Sequence, residues 1–326
     1  MPQRITDVAS ILVGHSTDAV SGTGCTVVLG PAYGMRAAVH IRGRATGTRE
    51  LDALSPTHLV PGVHGILLTG GSAFGLGAAD GVMRWLAERR RGFDAGVSVV
   101  PIVPGAVIFD MAFGEPAWPT AVDGYRACEA AGTEVAEGSV GAGTGATVGK
   151  VLGISRAMKS GLGTWSERRD DILVGSLAVV NAFGDVRDRD GMIVAGARGF
   201  EGFLDSRAYL ADGGKPSDSF ATNGVNTTLV VVATNVTMNR LELGCLAEMA
   251  TDALAQRITP VGTMYDGDLV FAVSTGELPL ESPVSVEILA QDATAVAVER
   301  AVGLAVGTEA IPGLAGPTHP ADRPRS

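Results

Sequence analysis

The segment 224–228, Gly-Val-Asn-Thr-Thr, and the apolar run 229–235 that follows it are the part of the sequence that most directly indicates chemistry. If the Asn226–Thr227 bond breaks, Thr227 becomes a new N-terminal residue. Its hydroxyl is then a nucleophile, and its freed α-amine can act as the base. A free α-amine titrates at ~8, whereas an amide nitrogen accepts no proton near that pH. The segment therefore predicts a self-cleaving hydrolase, and the alternative is an ordinary junction between a loop and a strand.

Two aspartates precede a predicted strand in the sequence Asp266-Gly267-Asp268. Alternate side chains of an extended chain share a face, so both carboxylates would point the same way. There they could orient a threonine hydroxyl and stabilise the ammonium form of its α-amine. The alternative is a polar β-turn, because Asp-Gly is a strong turn signal.

Two further polar residues lie at the ends of predicted strands. Lys150 follows the glycine-rich stretch 138–149, and Asn181 ends the apolar run 178–180. Both residue types can donate hydrogen bonds to a developing oxyanion. The alternative for each is a solvated residue at a strand edge.

Other motifs fail on inspection. The stretch 141–150 is not a phosphate loop, because its first glycine position is Thr144 and Lys150 is followed by Val151. Ser72 is not a nucleophile elbow, because the closing glycine position is Phe74. The five histidines supply no set of three or four ligands, so we expect neither a metal nor a cofactor.

The composition limits the class of protein. The chain has 326 residues, of which 46% are hydrophobic, and a net charge of −10, which disfavours nucleic acid or an anionic membrane as a partner. Cys25, Cys128 and Cys245 are scattered and odd in number, as is typical of buried thiols in a reducing compartment. We find no signal segment and no apolar stretch that could span a membrane, and therefore expect a cytoplasmic protein.

The hydrophobic pattern predicts one α/β domain, 1–326, in which sheets pack together and helices cover them. We expect the Gly- and Pro-containing stretches 43–61 and 184–223 to be loops, Ser72 to cap a helix, and the tail 311–326 to be disordered. Helices are predicted at 73–91, 121–131, 239–257 and 285–303. Strands are predicted at 5–14, 24–31, 34–42, 63–69, 97–110, 148–157, 161–166, 172–181, 228–234 and 268–274.

Taken together, several segments resemble the L-aminopeptidase/D-esterase family, which includes β-aminopeptidases and nylon-oligomer hydrolases. The resemblance covers about residues 5–302. It is carried by the segments 22–28, 61–65, 69–76, 104–110, 143–150, 180–181, 226–228 and 266–268.

The resemblance implies a four-layer α/β/β/α sandwich that cuts itself into an α chain, 1–226, and a β chain, 227–326, which stay together. By analogy Thr227 is the nucleophile, and Asp266 and Asp268 are its orienting carboxylates. Lys150 and Asn181 are polar active-site groups by the same analogy. The resemblance also implies a homo-oligomer of four α/β pairs, which the high apolar content permits.

The residues at the predicted cut indicate a class of substrate. The Asn226–Thr227 junction resembles the nylon-oligomer branch, whose substrates are flexible aliphatic amides. We therefore expect hydrolysis of linear aliphatic oligoamides. Candidate substrate-contacting residues are Ser72, Phe74 and Phe109, where relatives often carry Tyr for Phe109; the alternative for the two phenylalanines is core packing.

Other activities stay open. Aminopeptidase, β-aminopeptidase and D-amino-acid amidase or esterase activities are close alternatives, for which Asp110 could add negative charge near an amine-carrying acyl group. Acyl transfer of the ornithine acetyltransferase type is a more distant one. A ligand-binding protein that merely shares the fold predicts an intact chain on a denaturing gel.

Overall fold

The computed structural model describes residues 3–114, 116–217 and 226–316. Within these residues, two five-stranded sheets stack face to face and helices cover the outer side of each sheet. The helices are α1 (Ser72–Gly75), α2 (Ala78–Glu88), α3 (Ala121–Glu129), α4 (Ser206–Ala211), α5 (Arg240–Arg257) and α6 (Pro283–Gly303). The strands are β1 (Leu12–Asp18), β2 (Thr23–Leu29), β3 (Arg36–Ile41), β4 (Thr48–Arg49), β5 (Gly65–Thr69), β6 (Phe93–Asp94), β7 (Val99–Val100), β8 (Gly105–Val107), β9 (Thr147–Val148), β10 (Met158–Lys159), β11 (Leu162–Arg169), β12 (Ile172–Asn181), β13 (Asp185–Arg187), β14 (Ile193–Ala195), β15 (Thr227–Val236), β16 (Ile258–Thr259) and β17 (Leu269–Leu278).

Strand β15 is the centre of the second sheet. The first sheet has the order β1-β2-β5-β8-β4, and the second has the order β11-β12-β15-β17-β3. Strand β15 pairs antiparallel with β12 and parallel with β17. Because both of its faces are covered, this strand is an almost continuous apolar run, as is usual for strands buried on two sides.

Alternation along the strands generates the layers. Leu229 and Val231 face the first sheet and pack in the core between the two sheets. Val230 and Val232 face the opposite way and pack with residues of α5 and α6. On the far side, Val27 of β2 packs with residues of α2 and α3. The predicted α/β/β/α sandwich is therefore the observed architecture.

Helix α5 begins as its sequence predicts. The side chain of Asn239 accepts hydrogen bonds from the backbone N–H groups of Leu241 and Glu242. The carboxylate of Glu242 in turn accepts from the N–H of Asn239 at 2.7 Å, which completes a capping box. None of the helices in the three described ranges is long and apolar enough to cross a membrane.

The helix predicted at 73–91 is interrupted. Helices α1 and α2 are separate, and the turn between them closes with i→i+3 hydrogen bonds from Leu76 and Gly77. Ser72 does not cap this region: Gly71 precedes the helix, and Ser72 itself has a left-handed backbone with φ +52°. The prediction of Ser72 as the N-cap is therefore wrong.

Several predicted strands are shorter than expected. The strand predicted at 148–157 is reduced to β9 and is followed by a 3-10 turn at Ile154–Arg156. The segment 5–14 opens with a 3-10 turn, and the segment 97–110 is broken into β7 and β8 around its prolines. The loop predicted at 43–61 contains β4 and a 3-10 turn. Short apolar runs with glycine or proline satisfy a strand pattern without forming a ladder.

The segment predicted as the loop 184–223 contains β13, β14 and α4, and its last residues, 218–223, lie outside the described residues. Asp185 organises this segment. Its buried carboxylate accepts hydrogen bonds from the N–H of Ala197 and from both the N–H and the hydroxyl of Ser206. Polar side chains that bond to distant backbone are not visible as hydrophobic periodicity, which is why the pattern indicated only a loop.

The first residues of the expected disordered tail are packed against the domain. Ile311 is buried, the N–H of Lys159 donates to the carbonyl of Pro312, and the N–H of Ala315 donates to that of Ala305. The expectation of disorder therefore does not hold for 311–316. The rest of that segment, 317–326, lies outside the described residues.

Candidate active site

The sequence-predicted residues meet at one end of the second sheet. The antiparallel register of β12 and β15 pairs Asn181 with Thr227. Beyond the start of β15, Asn226 forms a parallel bridge with Asp266, which lies just before β17. Because β15 is flanked by β12 and β17, the amide of Asn181 and both aspartates are brought to the two sides of the Asn226–Thr227 bond.

The Asn226–Thr227 bond is held in a defined environment. Thr227 is 4% exposed, and its hydroxyl donates to the carbonyl oxygen of Asn226 at 2.6 Å. The backbone N–H of Gly267 donates to the same oxygen at 2.7 Å. Two donors on one carbonyl polarise it, and one of them is the hydroxyl that would attack it.

Gly267 cannot be replaced without a clash. A Cβ atom at this position would lie 2.8 Å from the Thr227 hydroxyl oxygen and 2.7 Å from the carbonyl oxygen of Ala45. The same side of the site is closed by the segment 42–45. Its backbone N–H groups donate in pairs to the carbonyl oxygens of Asp266 and Asp268. The backbone of the Asp-Gly-Asp motif is therefore fixed from both sides.

The two carboxylates are buried, and their hydrogen bonds within the described residues go mainly to backbone. Asp268 accepts from the N–H of Thr228 at 2.6 Å and from that of Gly262 at 3.1 Å. Asp266 accepts from the N–H and the hydroxyl of Thr263 at 2.9 and 2.7 Å. The N–H of Asp266 also donates to the carbonyl of Thr263, so the motif forms a turn as well as a site. Asp268 thus holds the residue after Thr227.

Burial makes the ionised forms of Asp266 and Asp268 less favourable. Desolvation raises the pKa of Asp266 above its usual range. Desolvation also raises the pKa of Asp268, and the negative charge on Asp266 acts in the same direction. Two neighbouring carboxylates in a buried site do not both ionise readily, so one of them holds a proton more strongly than an exposed aspartate does.

Lys150 and Asn181 form a buried unit on the other side of Thr227. The ammonium group of Lys150 donates to the backbone carbonyl of Asn181 at 2.9 Å and to its side-chain oxygen at 2.7 Å. Each residue is 1% exposed, so the alternative of solvated edge residues is wrong. Burial lowers the pKa of Lys150 to about 7, although the nearby aspartate charges act in the opposite direction.

Of the three residues predicted to contact substrate, Phe109 is bonded to this unit, Ser72 is bonded to the neighbouring Ile108, and Phe74 lies on the surface. The side-chain amide of Asn181 donates to the backbone carbonyl of Phe109 at 3.1 Å, and the N–H of Ser72 donates to that of Ile108 at 2.9 Å. Phe74 is 62% exposed, and its ring stacks on Trp118 with centroids 4.7 Å apart. The alternative of core packing therefore does not hold for Phe74.

The carboxylate of Asp110 is buried and bonded to neighbouring residues. It is 3% exposed, and its two oxygens accept from the N–H of Gly71 at 2.7 Å and from the hydroxyl of Thr23 at 2.8 Å. Burial raises the pKa of Asp110 to about 6. Its carboxylate serves the turn at 70–72, which argues against the expected contact with an amine-carrying substrate.

A second buried lysine, Lys159, was not among the candidates predicted from the sequence. Its ammonium group donates to the carbonyls of Gly143, Ala146 and Ser160, and burial lowers its pKa to about 7. A single lysine between apolar and glycine positions was the available signal. In the part of the chain that the structure describes, no three His, Cys, Asp or Glu side chains are grouped to hold a metal ion.

Sequence comparison relates the chain to hydrolases. The profile of peptidase family S58 matches residues 3–313. An uncharacterized aminopeptidase of Mycobacterium bovis is 44% identical, with 83% of this chain and 81% of the relative covered. A 6-aminohexanoate-oligomer endohydrolase of Kocuria sp. is 34% identical, with 84% of this chain and 75% of the relative covered.

Solved structures share the architecture. The L-aminopeptidase D-Ala-esterase/amidase of Ochrobactrum anthropi, described as a new variant among the Ntn hydrolase fold, superposes with a TM-score of 0.72 over 95% of this chain and 89% of that one, at 20% identity. A β-aminopeptidase of Burkholderia sp. gives a TM-score of 0.70 over 96% and 91% of the two chains, at 22% identity. At these identities the likeness concerns the fold alone.

Proposed function

This chain belongs to peptidase family S58 and is a hydrolase of peptide or amide bonds, and on that premise we propose that Thr227 is the N-terminal nucleophile of a self-cleaving amidohydrolase. One observation carries the proposal. The Asn226 carbonyl oxygen lies between the Thr227 hydroxyl and the Gly267 N–H, at 2.6 and 2.7 Å. This geometry suits attack on the peptide bond that must break to free the amine of Thr227.

In turnover, the hydroxyl of Thr227 attacks the substrate carbonyl while the freed α-amine takes its proton. The α-ammonium gives this proton to the departing nitrogen, and the amine product leaves. Water then hydrolyses the acyl ester, which releases the acid and restores the threonine hydroxyl. Asp268 positions the backbone beside the nucleophile, and the Lys150–Asn181 unit supplies positive charge near the developing oxyanion.

For the substrate, we propose linear aliphatic amides, including 6-aminohexanoate oligomers. The similarity to the Kocuria endohydrolase supports this choice. The second candidate is aminopeptidase activity, with β-aminopeptidase and D-amino-acid amidase or esterase activities as variants of it. The aminopeptidase names of the 44% identical relatives favour that candidate, whereas the occupied carboxylate of Asp110 does not.

The nucleophile is tested by Thr227→Ala, with Thr234→Ala on the same strand as the matched control. We expect the wild type and the control to run as two fragments on a denaturing gel, and Thr227→Ala to remain full-length and inactive. N-terminal sequencing of the smaller fragment should begin at Thr227. A new N-terminus elsewhere, or one full-length band for the wild type, contradicts the assignment.

The substrate class is tested with the matured enzyme. It is incubated with 6-aminohexanoate oligomers and with panels of α-, β- and D-amino-acid amides, each with and without an added amine acceptor. Cleavage of the oligomers supports the first candidate, and cleavage of the amino-acid amides alone supports the second. Product formation that requires the acceptor indicates acyl transfer.

A further inference from the structure

The side chain of Asn181 is held from three directions in the uncut chain. Its oxygen accepts from the ammonium group of Lys150 at 2.7 Å and from the backbone N–H of Thr147 at 3.1 Å. Its nitrogen donates to the carbonyl of Phe109 at 3.1 Å. Thr147 lies in β9, which pairs with β10 outside the second sheet, so whatever fixes β9 also fixes the amide.

Lys159 is the residue that fixes β9. In the β9–β10 ladder it lies directly opposite Thr147. Its ammonium group donates to the carbonyl of Ala146, the residue before Thr147, at 2.9 Å. The same group donates to the carbonyl of Gly143 at 3.2 Å and to that of Ser160. One buried cation therefore joins the two sides of this ladder.

The carbonyls around Lys159 depend on its donors. Lys159 is 1% exposed, and burial lowers its pKa to about 7, whereas the negative charge of Asp110 acts in the opposite direction. Methionine is close to lysine in length but has no hydrogen to donate, so Lys159→Met would leave the three carbonyls without this partner. A missing partner for a buried polar group is strongly unfavourable, and we expect the segment 143–147 to shift in response.

We infer that Lys159 is a positioning residue of the active site: it holds the N–H of Thr147 in place, and that N–H sets the orientation of the Asn181 amide beside the proposed nucleophile. This inference rests on the proposed function. The bonds of Lys159 go to backbone carbonyls, so it acts through Asn181 and not on the scissile bond itself. A displacement of about 1 Å at an active-site group can slow a reaction ~100-fold.

A double-mutant cycle tests the inference, with Lys159→Met, Asn181→Leu and the double variant. Self-cleavage is followed on denaturing gels from the end of cell-free synthesis. We expect Asn181→Leu to slow it ~100-fold and Lys159→Met to slow it about tenfold. The double variant should be no slower than Asn181→Leu alone, because the amide through which Lys159 acts is already absent. The matched control is Lys215→Met at an exposed position, which should be cut like the wild type.

Thr147→Pro tests the middle of this path without changing a charge. Proline removes the N–H that bonds to Asn181, so self-cleavage should slow about tenfold, and the change should have no further effect in Asn181→Leu. The alternative is that Lys159 acts through its charge on Lys150. In that case Lys159→Met would slow Asn181→Leu further, and Thr147→Pro would be cut like the wild type.

The midpoint of thermal unfolding, measured for each variant on the uncut Thr227→Ala background, verifies folding. If Lys159→Met does not fold, Thr147→Pro and its combination with Asn181→Leu decide the question. Effects of Lys159→Met and Asn181→Leu that multiply, or wild-type cutting of a folded Lys159→Met or Thr147→Pro chain, overturn the inference while leaving Thr227 as the nucleophile. A wild-type chain that is not cut before Thr227 overturns both proposals.

Discussion

Lys150 and Asn181 behave as one unit, because the ammonium group holds both oxygens of the asparagine. The amide nitrogen of Asn181 is in turn bonded to the carbonyl of Phe109. In the uncut chain the scissile carbonyl accepts from the N–H of Gly267 and from the hydroxyl of Thr227. We propose that the lysine acts on it through its charge. A lysine with a pKa of about 7 changes that charge within the neutral range.

We expect Lys150→Met to slow self-cleavage by ~100-fold, because it removes a positioned positive charge from a buried site. The difference should depend on pH. Burial lowers the pKa of Lys150 to about 7, so the cationic form is present below that pH and is lost above it. The ratio of wild-type to variant rates, measured from gels, should therefore fall between pH 6 and pH 8. A ratio that is constant over this range contradicts a role for the charge.

Gly267→Ala should abolish self-cleavage, because a Cβ atom there would clash with the Thr227 hydroxyl and with the carbonyl of Ala45. The matched control is Gly244→Ala in helix α5, where a Cβ atom meets nothing within 4 Å. The control should be cut like the wild type. Normal self-cleavage of Gly267→Ala would contradict the need for a glycine at this position.

Helix α5 connects the two parallel strands that carry the site, so its stability supports the site directly. The side chain of Asn239 caps its first turn. Its buried face, which includes Leu243 and Leu246, packs in the core between the second sheet and helices α5 and α6. Gly244 lies in the helix interior without a close contact, where glycine is unfavourable because it loses more backbone entropy than other residues.

On the uncut Thr227→Ala background, Asn239→Ala should lower the free energy of unfolding by about 1 kcal/mol, since the first turn loses its cap. Gly244→Ala should raise it by up to about 1 kcal/mol, because alanine is the better helix former. Urea denaturation of the two variants measures both changes. Equal free energies of unfolding for the two variants would contradict these predicted effects of the cap and of Gly244.

The sequence predicted the elements whose own residues determine them. Strands β12 and β15 are long apolar runs, helix α5 is a long segment that begins at a capping asparagine, and the predictions of all three are confirmed. The hydrophobic pattern gave wrong predictions where contacts between residues far apart in the sequence determine the local structure. Asp185 orders a segment that was predicted as a loop by accepting bonds from residues far along the chain. The turn between α1 and α2 follows from close backbone approaches at Gly75, which a helical period does not reveal.

For the site, residue types at strand ends indicated Thr227, Asp266, Asp268, Lys150 and Asn181 as candidates, and the resemblance to the L-aminopeptidase/D-esterase family predicted that they share one site. The structure brings them together. Their assigned roles stay predictions. The N–H of Gly267 was missed because a backbone donor has no side-chain signature, and its only trace was a glycine between two aspartates. Lys159 was missed because its partners are backbone carbonyls.

The domain as a whole buries several ionisable groups that do not lie at the proposed nucleophile. Burial lowers the pKa of Lys159, like that of Lys150, to about 7. Burial raises the pKa of Asp110 and of Asp185 to about 6. Each group binds protons differently in the folded and unfolded states, so together they couple stability to pH.

The signs of these couplings predict a dip in stability near neutral pH. Between the usual aspartate pKa of 3.8 and about 6, the folded state binds more protons through Asp110 and Asp185, so stability falls as pH rises. Between about 7 and 10.5 the unfolded state binds more protons through the lysines, so stability rises with pH. Urea denaturation of Thr227→Ala at pH 5, 6.5 and 9 measures the dip. Lys159→Met should reduce the rise above pH 7, and an unchanged slope would contradict this account.

We propose that the molecule assembles as a homo-oligomer of four α/β pairs. Large apolar side chains are almost fully exposed in the isolated chain, among them Phe200 at 99%, Val97 at 98% and Val20 at 91%. Contacts between subunits would cover such positions. Sedimentation equilibrium at micromolar concentration should give the mass of four chains, and the mass of one chain would contradict the proposal.

The strand order of the second sheet determines how a cut before Thr227 would affect refolding. Strands β15 and β17 would belong to one polypeptide, while β12 and β3 on their two sides would belong to the other. The two pieces are interleaved, so neither can leave without dismantling the sheet. Folding before the cut joins strands of a single chain, whereas refolding afterwards requires two chains to meet and becomes slower on dilution. The enzyme would thus fold as an uncut precursor, and cut enzyme that unfolds would not readily refold.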